Sequence, residues 1–391
     1  MKIGIFTDAY TPQINGVVTS VCTLKEELEK LGHEIFIITS MVPNYEDKEK
    51  NIIRINSVPF MPLPELRIAN PIHIKIIRKL LKMKFDVIHT QTEFSIGALG
   101  KFISKLSGCP LVHTYHTLYE NYTHYLPGKS FLKAKKNFAR NYSRFYCNWA
   151  DIVIAPTKKV SRILLSYNMY KPIKVIPSGI KLNQFYKNYS NEELYNARHE
   201  LNIEDDDKIM LFVGRISKEK NIQFILETLP EIVKYNTKLK FLIVGDGGYT
   251  DELKNIIKNE TIEKNVIFAG AKAHEEVSIY YKMADVFVSA SNSETQGLTY
   301  VEAMAAGLPV LAKADPCLDW LLKNKKNSCI FESKEEFIML VNTLLNDKSY
   351  CEKIKQEAVL SAKLASSEVF AHKIENVYNE ALNMRKYNKA M

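Results

Sequence analysis

Two glutamates, Glu294 and Glu302, stand eight positions apart in SASNSETQGLTYVEAMAAGLPVLA, the stretch from Ser289 to Ala312. Gly297, Leu298 and Thr299 lie between them and open a helix-like segment. The backbone N–H groups of a helix's first turn have no intrahelical partner and suit an anion. A loop carboxylate, unpaired amides and a helix carboxylate could together hold a polar, phosphorylated ligand. Solvated charges on an ordinary strand-to-helix connection fit the same spacing. A second constellation is Gly214-Arg215-Ile216-Ser217-Lys218-Glu219-Lys220-Asn221. Gly214 would let backbone approach a ligand, Arg215 offers a planar fork and Lys220 a mobile point charge, a pair suited to a diphosphate. A solvated basic loop is the alternative. Near the amino terminus, Asn15-Gly16-Val17-Val18 leads into the first helix, where a glycine allows N–H groups to meet phosphate. His116 follows a strand-like run, Leu111 to His113, although a lone histidine is more often structural.

These residues need a scaffold, and the apolar runs supply one. Ile3 to Phe6, Ile35 to Ile38, Val87-Ile88, Leu111-Val112, Ile152 to Ala155 and Val175-Ile176 alternate with helical stretches. Val21, Leu24, Leu28 and Leu31 recur at helical spacing before Gly32. The pattern repeats with Met210 to Val213, Phe241 to Val244, Val266 to Ala269, Val286 to Val288, Val310-Leu311 and Ile330-Phe331. Strands alternating with helices predict an α/β fold, two Rossmann-like doubly wound parallel sheets. The boundary falls near Pro177 to Tyr189, giving domains over 1–180 and 181–371. The last segment, about 350 to 388, reads as helices, and the part from about 372 to 391 is expected to complete the first domain. Ligands of such sheets bind beyond the carboxyl ends of the strands, so two facing sheets predict a site in an interdomain cleft. Neither GxGxxG nor a Walker A sequence opens either half, which argues against a dinucleotide dehydrogenase or a nucleoside triphosphatase. HExxH is absent too, since His274-Glu275-Glu276 lacks a second histidine.

The chain has 391 residues, enough for two cores, and is 46% hydrophobic. No apolar run reaches the ~20 residues that span a bilayer, and the start, MKIGIFTDAY, does not read as a signal peptide, so a cytoplasmic protein is expected. The six cysteines, without CxxC spacing, read as reduced thiols. Charge is uneven: residues 1–180 hold 25 Lys and Arg against 13 Asp and Glu, while the remainder holds 28 against 31. The basic half implies an anionic partner.

Two stretches concentrate that charge. Arg67, Lys75, Arg78, Lys79, Lys82 and Lys84 accompany an apolar stripe of Ile72, Ile76 and Leu80, and no acid lies between Glu65 and Asp86. This reads as a basic amphipathic helix from Arg67 to Lys84. Lys129, Lys133, Lys135, Lys136, Arg140 and Arg144 accompany Phe131, Leu132, Phe138, Tyr142 and Phe145. Such helices can lie on an anionic membrane surface, and they can equally be solvated helices packed on a sheet.

Taken together, GRISKEKN, the E-x7-E pair Glu294 and Glu302, and EAMAAGLPVLA resemble the retaining nucleotide-sugar glycosyltransferases of the GT-B architecture over nearly the whole chain. The resemblance implies that Glu294 contacts the donor sugar and Glu302 the nucleotide ribose. It also implies that Arg215, Lys220 and backbone at Gly16, Leu298 and Thr299 hold the diphosphate, and that His116 contacts the sugar near the reacting centre. Two departures, Asn15-Gly16 for a common Gly-Gly and Gln296 for an aromatic before Gly297, loosen any inference about the sugar. MKIGIFTDAYTPQINGVVTSV, HTQTEFSIGALG, TYHTLYENYTHY and APTKKV followed by VIPSGI look like the bacterial diacylglycerol glucosyltransferases. That subgroup implies UDP-glucose as donor, diacylglycerol as acceptor and monoglucosyldiacylglycerol as product. It further implies anionic lipids as partners, no nucleic acid, and a peripheral position on the inner face of the cell membrane, with Tyr119 to Tyr125 near the acceptor. No metal site or tightly bound cofactor is expected, and any stimulation by Mg2+ would act indirectly through lipid. The alternatives are transfer to another lipid, of the phosphatidylinositol type, or to a soluble or polymeric glycan, and a non-catalytic protein that binds nucleotide or an anionic surface.

Overall fold

The computed structural model describes the chain except residues 14, 48, 61–62, 71–73, 117–131, 259–261, 293, 295 and 391, with the side chains of 60, 63–66, 132–134 and 388–390 also outside the description. The chain forms two compact units, Met1–Gly179 with Ser367–Met391, and Ile180–Ser366.

The first unit contains β1 (Lys2–Phe6), α1 (Gly16–Lys30), β2 (Glu34–Ser40), β3 (Ile52–Ile55), β4 (Ser57–Phe60), β5 (Leu63–Ala69), α2 (Ile74–Lys82), β6 (Val87–Thr90), α3 (Ser95–Ser107), β7 (Leu111–Thr114), α4 (Leu132–Cys147), β8 (Ile152–Ala155), α5 (Lys158–Ser166) and β9 (Ile173–Val175). Seven strands form one sheet in the order β3-β2-β1-β6-β7-β8-β9. Neighbours run parallel, and Phe6 pairs with Thr90 where the order reverses. Both faces are covered: Phe6 and Ile38 enter one core cluster, Ile3, Ile5 and Ile37 the other. A strand buried on both faces must be apolar throughout, which is why these segments read as continuous runs. Asn15 caps α1 by accepting the Val18 N–H at 3.0 Å, and Gly32, at φ 81°, follows its end.

The second unit contains α6 (Asn183–Tyr186), α7 (Asn191–His199), β10 (Lys208–Val213), α8 (Ile222–Val233), β11 (Leu239–Val244), α9 (Thr250–Lys258), β12 (Val266–Gly270), α10 (Val277–Met283), β13 (Val286–Ser289), α11 (Leu298–Ala305), β14 (Val310–Lys313), β15 (Cys329–Phe331), α12 (Lys334–Asn346) and α13 (Lys348–Ala362). Its parallel sheet has the order β12-β11-β10-β13-β14-β15, with the reversal between β10 and β13. The chain then returns to the first unit as α14 (Ser367–Ala390), which packs on α1.

Two segments depart from the sequence expectation. Ile52–Ile55 is a strand, its run broken in sequence by Arg54, whose guanidinium instead binds Asp47 at 2.6 and 2.8 Å and the Thr11 and Ser40 carbonyls. The basic helix expected from Arg67 starts only at Ile74. Arg67 lies on β5, paired with Pro59 of β4, and donates to the Ser57 hydroxyl and carbonyl at 2.8 Å. A proline at position 71 disfavours helical backbone at Asn70, and residues 71–73, with Ile72 of the expected stripe, lie outside the described residues. Lys84 lies beyond the helix at φ 52°. Within α2, Leu80 is buried and Ile76, Ile77 and Leu81 pack on the unit's own core, so its apolar stripe is used internally.

Candidate active site

The reversal point of the second sheet collects most of the residues singled out in sequence. β10 delivers Gly214, at φ 148°, followed by a 3-10 turn over Lys218–Lys220. β13 delivers the loop that carries Glu294. The two loops are joined by backbone, with Asn292 N–H donating to the Glu219 carbonyl at 2.9 Å, and by side chains, with Lys220 Nζ 2.8 Å from Glu294 Oε1. The glutamate is 8% exposed and the lysine 23%, so the pair is shielded but not sealed. Asp315 supports it from beyond β14, accepting the Glu294 N–H through Oδ2 and the Cys317 N–H through Oδ1. Gly214 and Gly245 bring two strand ends together. A Cβ on Gly245 would stand 1.9 Å from the Gly214 carbonyl oxygen, so a side chain there cannot fit.

Gly297 starts α11 at φ 76°, and a Cβ there would meet Leu318 Cδ2 at 2.4 Å. Leu298 is exposed and Thr299 half-buried, so the first helical amides stand at the unit's surface with no side-chain cap at Gly297. Glu302, one turn into the helix, is 6% exposed. Its Oε2 accepts from the Tyr281 hydroxyl at 2.8 Å and its Oε1 lies 4.0 Å from His274 Nδ1. Burial pushes the Glu302 carboxyl up, while the Tyr281 hydrogen bond and His274 hold it down in part. Burial and the adjacent carboxylate push the Tyr281 hydroxyl up as well, so it is a proton donor to Glu302. Arg215 stands apart from this group: its side chain is 73% exposed and pairs with Glu219 at 2.8 Å.

The first unit holds Gly16 and His116. Gly16 is exposed at the first turn of α1, and a Cβ there would meet nothing within 4 Å, so its backbone is open to an approaching group. His116 is half-buried beyond β7, with Nε2 2.7 Å from Gln91 Oε1. Burial and the neighbouring His113 push its pKa down to about 4, so the ring is neutral at physiological pH. Asp8, beyond β1, fixes the start of α3: Oδ1 accepts from the Ser95 hydroxyl and the Ile96 N–H, Oδ2 from Thr92.

Sequence spacing did not reveal Tyr281, His274, Asp315 or Gln91 as partners of these groups, nor Asp8 as the anchor of α3. His274 had drawn notice only as part of an incomplete zinc motif. Lys129 and Tyr119 to Tyr125 lie outside the described residues, as does the Lys133 side chain. Among the described residues no cluster of His, Cys, Asp and Glu could hold a metal ion, and no helix is long and apolar enough to cross a membrane.

Two parallel-sheet units with a lysine–carboxylate pair at a strand-order reversal fit the architecture of a GT-B glycosyltransferase. Residues 195–360 match the model of "Glycosyl transferases group 1" and residues 14–184 that of "Glycosyltransferase Family 4". The chain is 38% identical to the alpha-monoglucosyldiacylglycerol synthase of Streptococcus pneumoniae, over 100% of this chain and 88% of the relative. It is 36% identical to that of Acholeplasma laidlawii over 100% of both. HepE of Anabaena, solved in complex with UDP, shares the fold at TM-score 0.77 and 17% identity, over 97% of this chain and 100% of that one. The chain belongs to this family of GT-B glycosyltransferases, nucleotide-sugar-dependent hexosyltransferases.

Proposed function

We propose that the enzyme transfers glucose from UDP-glucose to the free hydroxyl of 1,2-diacylglycerol, with retention at the anomeric carbon, giving monoglucosyldiacylglycerol at an anionic membrane surface. The observation that carries the donor half is the Lys220–Glu294 pair, held where β10 and β13 end. Full-length similarity to two alpha-monoglucosyldiacylglycerol synthases supports glucose and diacylglycerol as the transferred group and acceptor.

The roles are those the family resemblance implies, and the chemistry of the groups suits them. Glu294 orients the sugar hydroxyls, and Glu302, aligned by Tyr281, accepts from the ribose hydroxyls. As the bond from the anomeric carbon to the diphosphate breaks, negative charge grows on the departing oxygen. Lys220 and the Leu298 and Thr299 amides of α11 stabilise that charge, with Gly214 letting backbone come close. Arg215, which pairs with Glu219 here, and Gly16 of the first unit are the further diphosphate contacts that the resemblance implies. The diacylglycerol hydroxyl forms the new bond on the same face, and its proton passes to the departing phosphate oxygen. No separate base is needed. His116, neutral, contacts the sugar.

The first unit supplies the membrane contact. Lys75, Arg78, Lys79 and Lys82 are exposed on α2 beside Ile74, which is 65% exposed. Because α2 uses its apolar stripe on the core, its contribution is electrostatic, with each basic residue worth roughly 1 kcal/mol near an anionic surface. Apolar anchoring comes from α3 and α4 and the residues at their ends: Phe102 and Leu106 on α3 with Phe94 before it, Phe138 and Phe145 on α4 with Trp149 after it, all exposed. Lys101 of α3 lies against the Phe145 and Trp149 rings and joins the two helices. Lys135, Lys136 and Arg140 flank these aromatics, and Arg67 adds charge from the hairpin.

Titrating the protein with UDP-glucose, UDP-galactose, UDP-N-acetylglucosamine and GDP-mannose tests the donor assignment. Tightest binding and fastest turnover are expected for UDP-glucose, and a preference for a guanosine donor would refute it.

A further inference from the structure

Gln91, the residue after β6, is 2% exposed, and both ends of its amide face histidines. Oε1 lies 2.7 Å from His116 Nε2, and Nε2 lies 3.2 Å from each ring nitrogen of His89. His89 is itself fully buried and held by two hydroxyls, Tyr378 on Nδ1 and Thr114 on Nε2, each at 2.7 Å. Contacts therefore run from Tyr378 of α14 through His89 and Gln91 to His116, with the unprotonated nitrogen of His89 the one that accepts from the Gln91 amide.

An amide carbonyl oxygen can only accept, so the ring nitrogen facing it must carry the proton. We propose that Gln91 is a positioning residue that locks His116 in the Nε2–H tautomer, leaving Nδ1 an acceptor for a hydroxyl group of the substrate. In this form His116 takes a hydrogen bond from a sugar or acceptor hydroxyl, and its Nδ1 has no proton to give to the departing phosphate. Placing the amide the other way would put its NH2 against His116 and force the opposite tautomer, with an Nδ1–H donor. The low pKa of the ring, held down by burial and His113, keeps the choice between neutral tautomers open at physiological pH. The inference rests on the reading of His116 as a sugar contact, although the tautomer itself does not.

Long-range 1H–15N spectra of histidine-labelled protein, with the His116 signal assigned through His116→Ala, read the tautomer directly. Nε2–H is expected, and an Nδ1–H signal would overturn the proposal. In Gln91→Leu the two nitrogens should move toward an averaged pair of shifts. Transfer should fall about tenfold, the size of one well-placed hydrogen bond. Unchanged shifts and unchanged transfer would contradict the assignment. Gln91→Glu keeps an acceptor-only group at the same place, so it should retain the Nε2–H form. The His116 pKa should rise, because a carboxylate then faces the ring beside His113 and His89. A variant that fails to show that rise while remaining folded also counts against it. If His116→Ala transfers at the normal rate, its sugar contact fails while the tautomer result still decides the role of Gln91.

Discussion

Lys220 Nζ donates to Glu294 Oε1 at 2.8 Å across 74 residues of sequence, from a loop that the Glu219–Asn292 backbone bond ties to its partner. The contact holds a cation and the carboxylate proposed to bind the sugar in place before any donor arrives. Preorganised charge of this kind costs no reorganisation when the leaving group forms.

Lys220→Ala and Glu294→Ala should each lower kcat/KM about 100-fold, with circular dichroism and melting close to the parent. The double variant should be little worse than the poorer single one, since the two act as a unit. Additive losses would mean that the pair is incidental.

Glu302 is expected to give donor binding an acid limb. Burial raises its carboxyl above the usual glutamate range, so donor KM should rise as pH falls through that raised value. Protonation removes the charge proposed to receive the ribose hydroxyls. Tyr281→Phe deletes the hydrogen bond that holds the pKa down and should move this limb to higher pH. Glu302→Gln should abolish it. A raised carboxyl pKa also means that the native state binds more protons than the unfolded chain between the ordinary and the raised value. Stability from this group is therefore present at low pH and lost as pH rises through the raised pKa. Glu302→Gln should accordingly melt no lower than the parent at pH 7.5 while binding the donor more weakly.

Gly297→Ala places an L side chain at φ 76° with its Cβ 2.4 Å from Leu318 Cδ2. The backbone term costs about 1–2 kcal/mol, because the leucine tip can turn aside. A lower melting temperature should accompany a larger loss of donor affinity, since the α11 amides shift with the turn. Calorimetry and nucleotide titration on one sample separate the two effects.

Replacing Lys75, Arg78, Lys79 and Lys82 together by Gln should weaken binding to anionic vesicles by about 1 kcal/mol per residue. Nucleotide binding should stay unchanged. Raising salt should mimic the substitution in the parent. Binding of the parent at low salt that ignores anionic lipid would move the acceptor away from a membrane.

The alternation of buried strands was legible because a parallel sheet covered on both faces needs uninterrupted apolar runs, as in Ile35 to Ile38 and Phe241 to Val244. β3 was hidden by Arg54, whose charge is neutralised by Asp47, a partner that no periodicity reveals. The hairpin before α2 was absorbed into a helix because a count of basic residues ignores the proline between them. In the site, Glu294, Glu302 and Lys220 were visible as charged groups at meaningful spacing. Their supports, Tyr281 and Asp315, lie 21 residues from the carboxylates they serve and have no local signature. Gln91 is less visible still, because a neutral amide gains its significance only from what stands at each end.

The most direct test is to incubate the protein with UDP-glucose and vesicles of diacylglycerol and anionic phospholipid, then to identify the lipid product by mass and its anomeric proton by NMR. One hexose on diacylglycerol in the α configuration, with one UDP released per product, is the predicted result. UDP release without glycolipid, a β-linked product, or glucose found only on a soluble acceptor would contradict it.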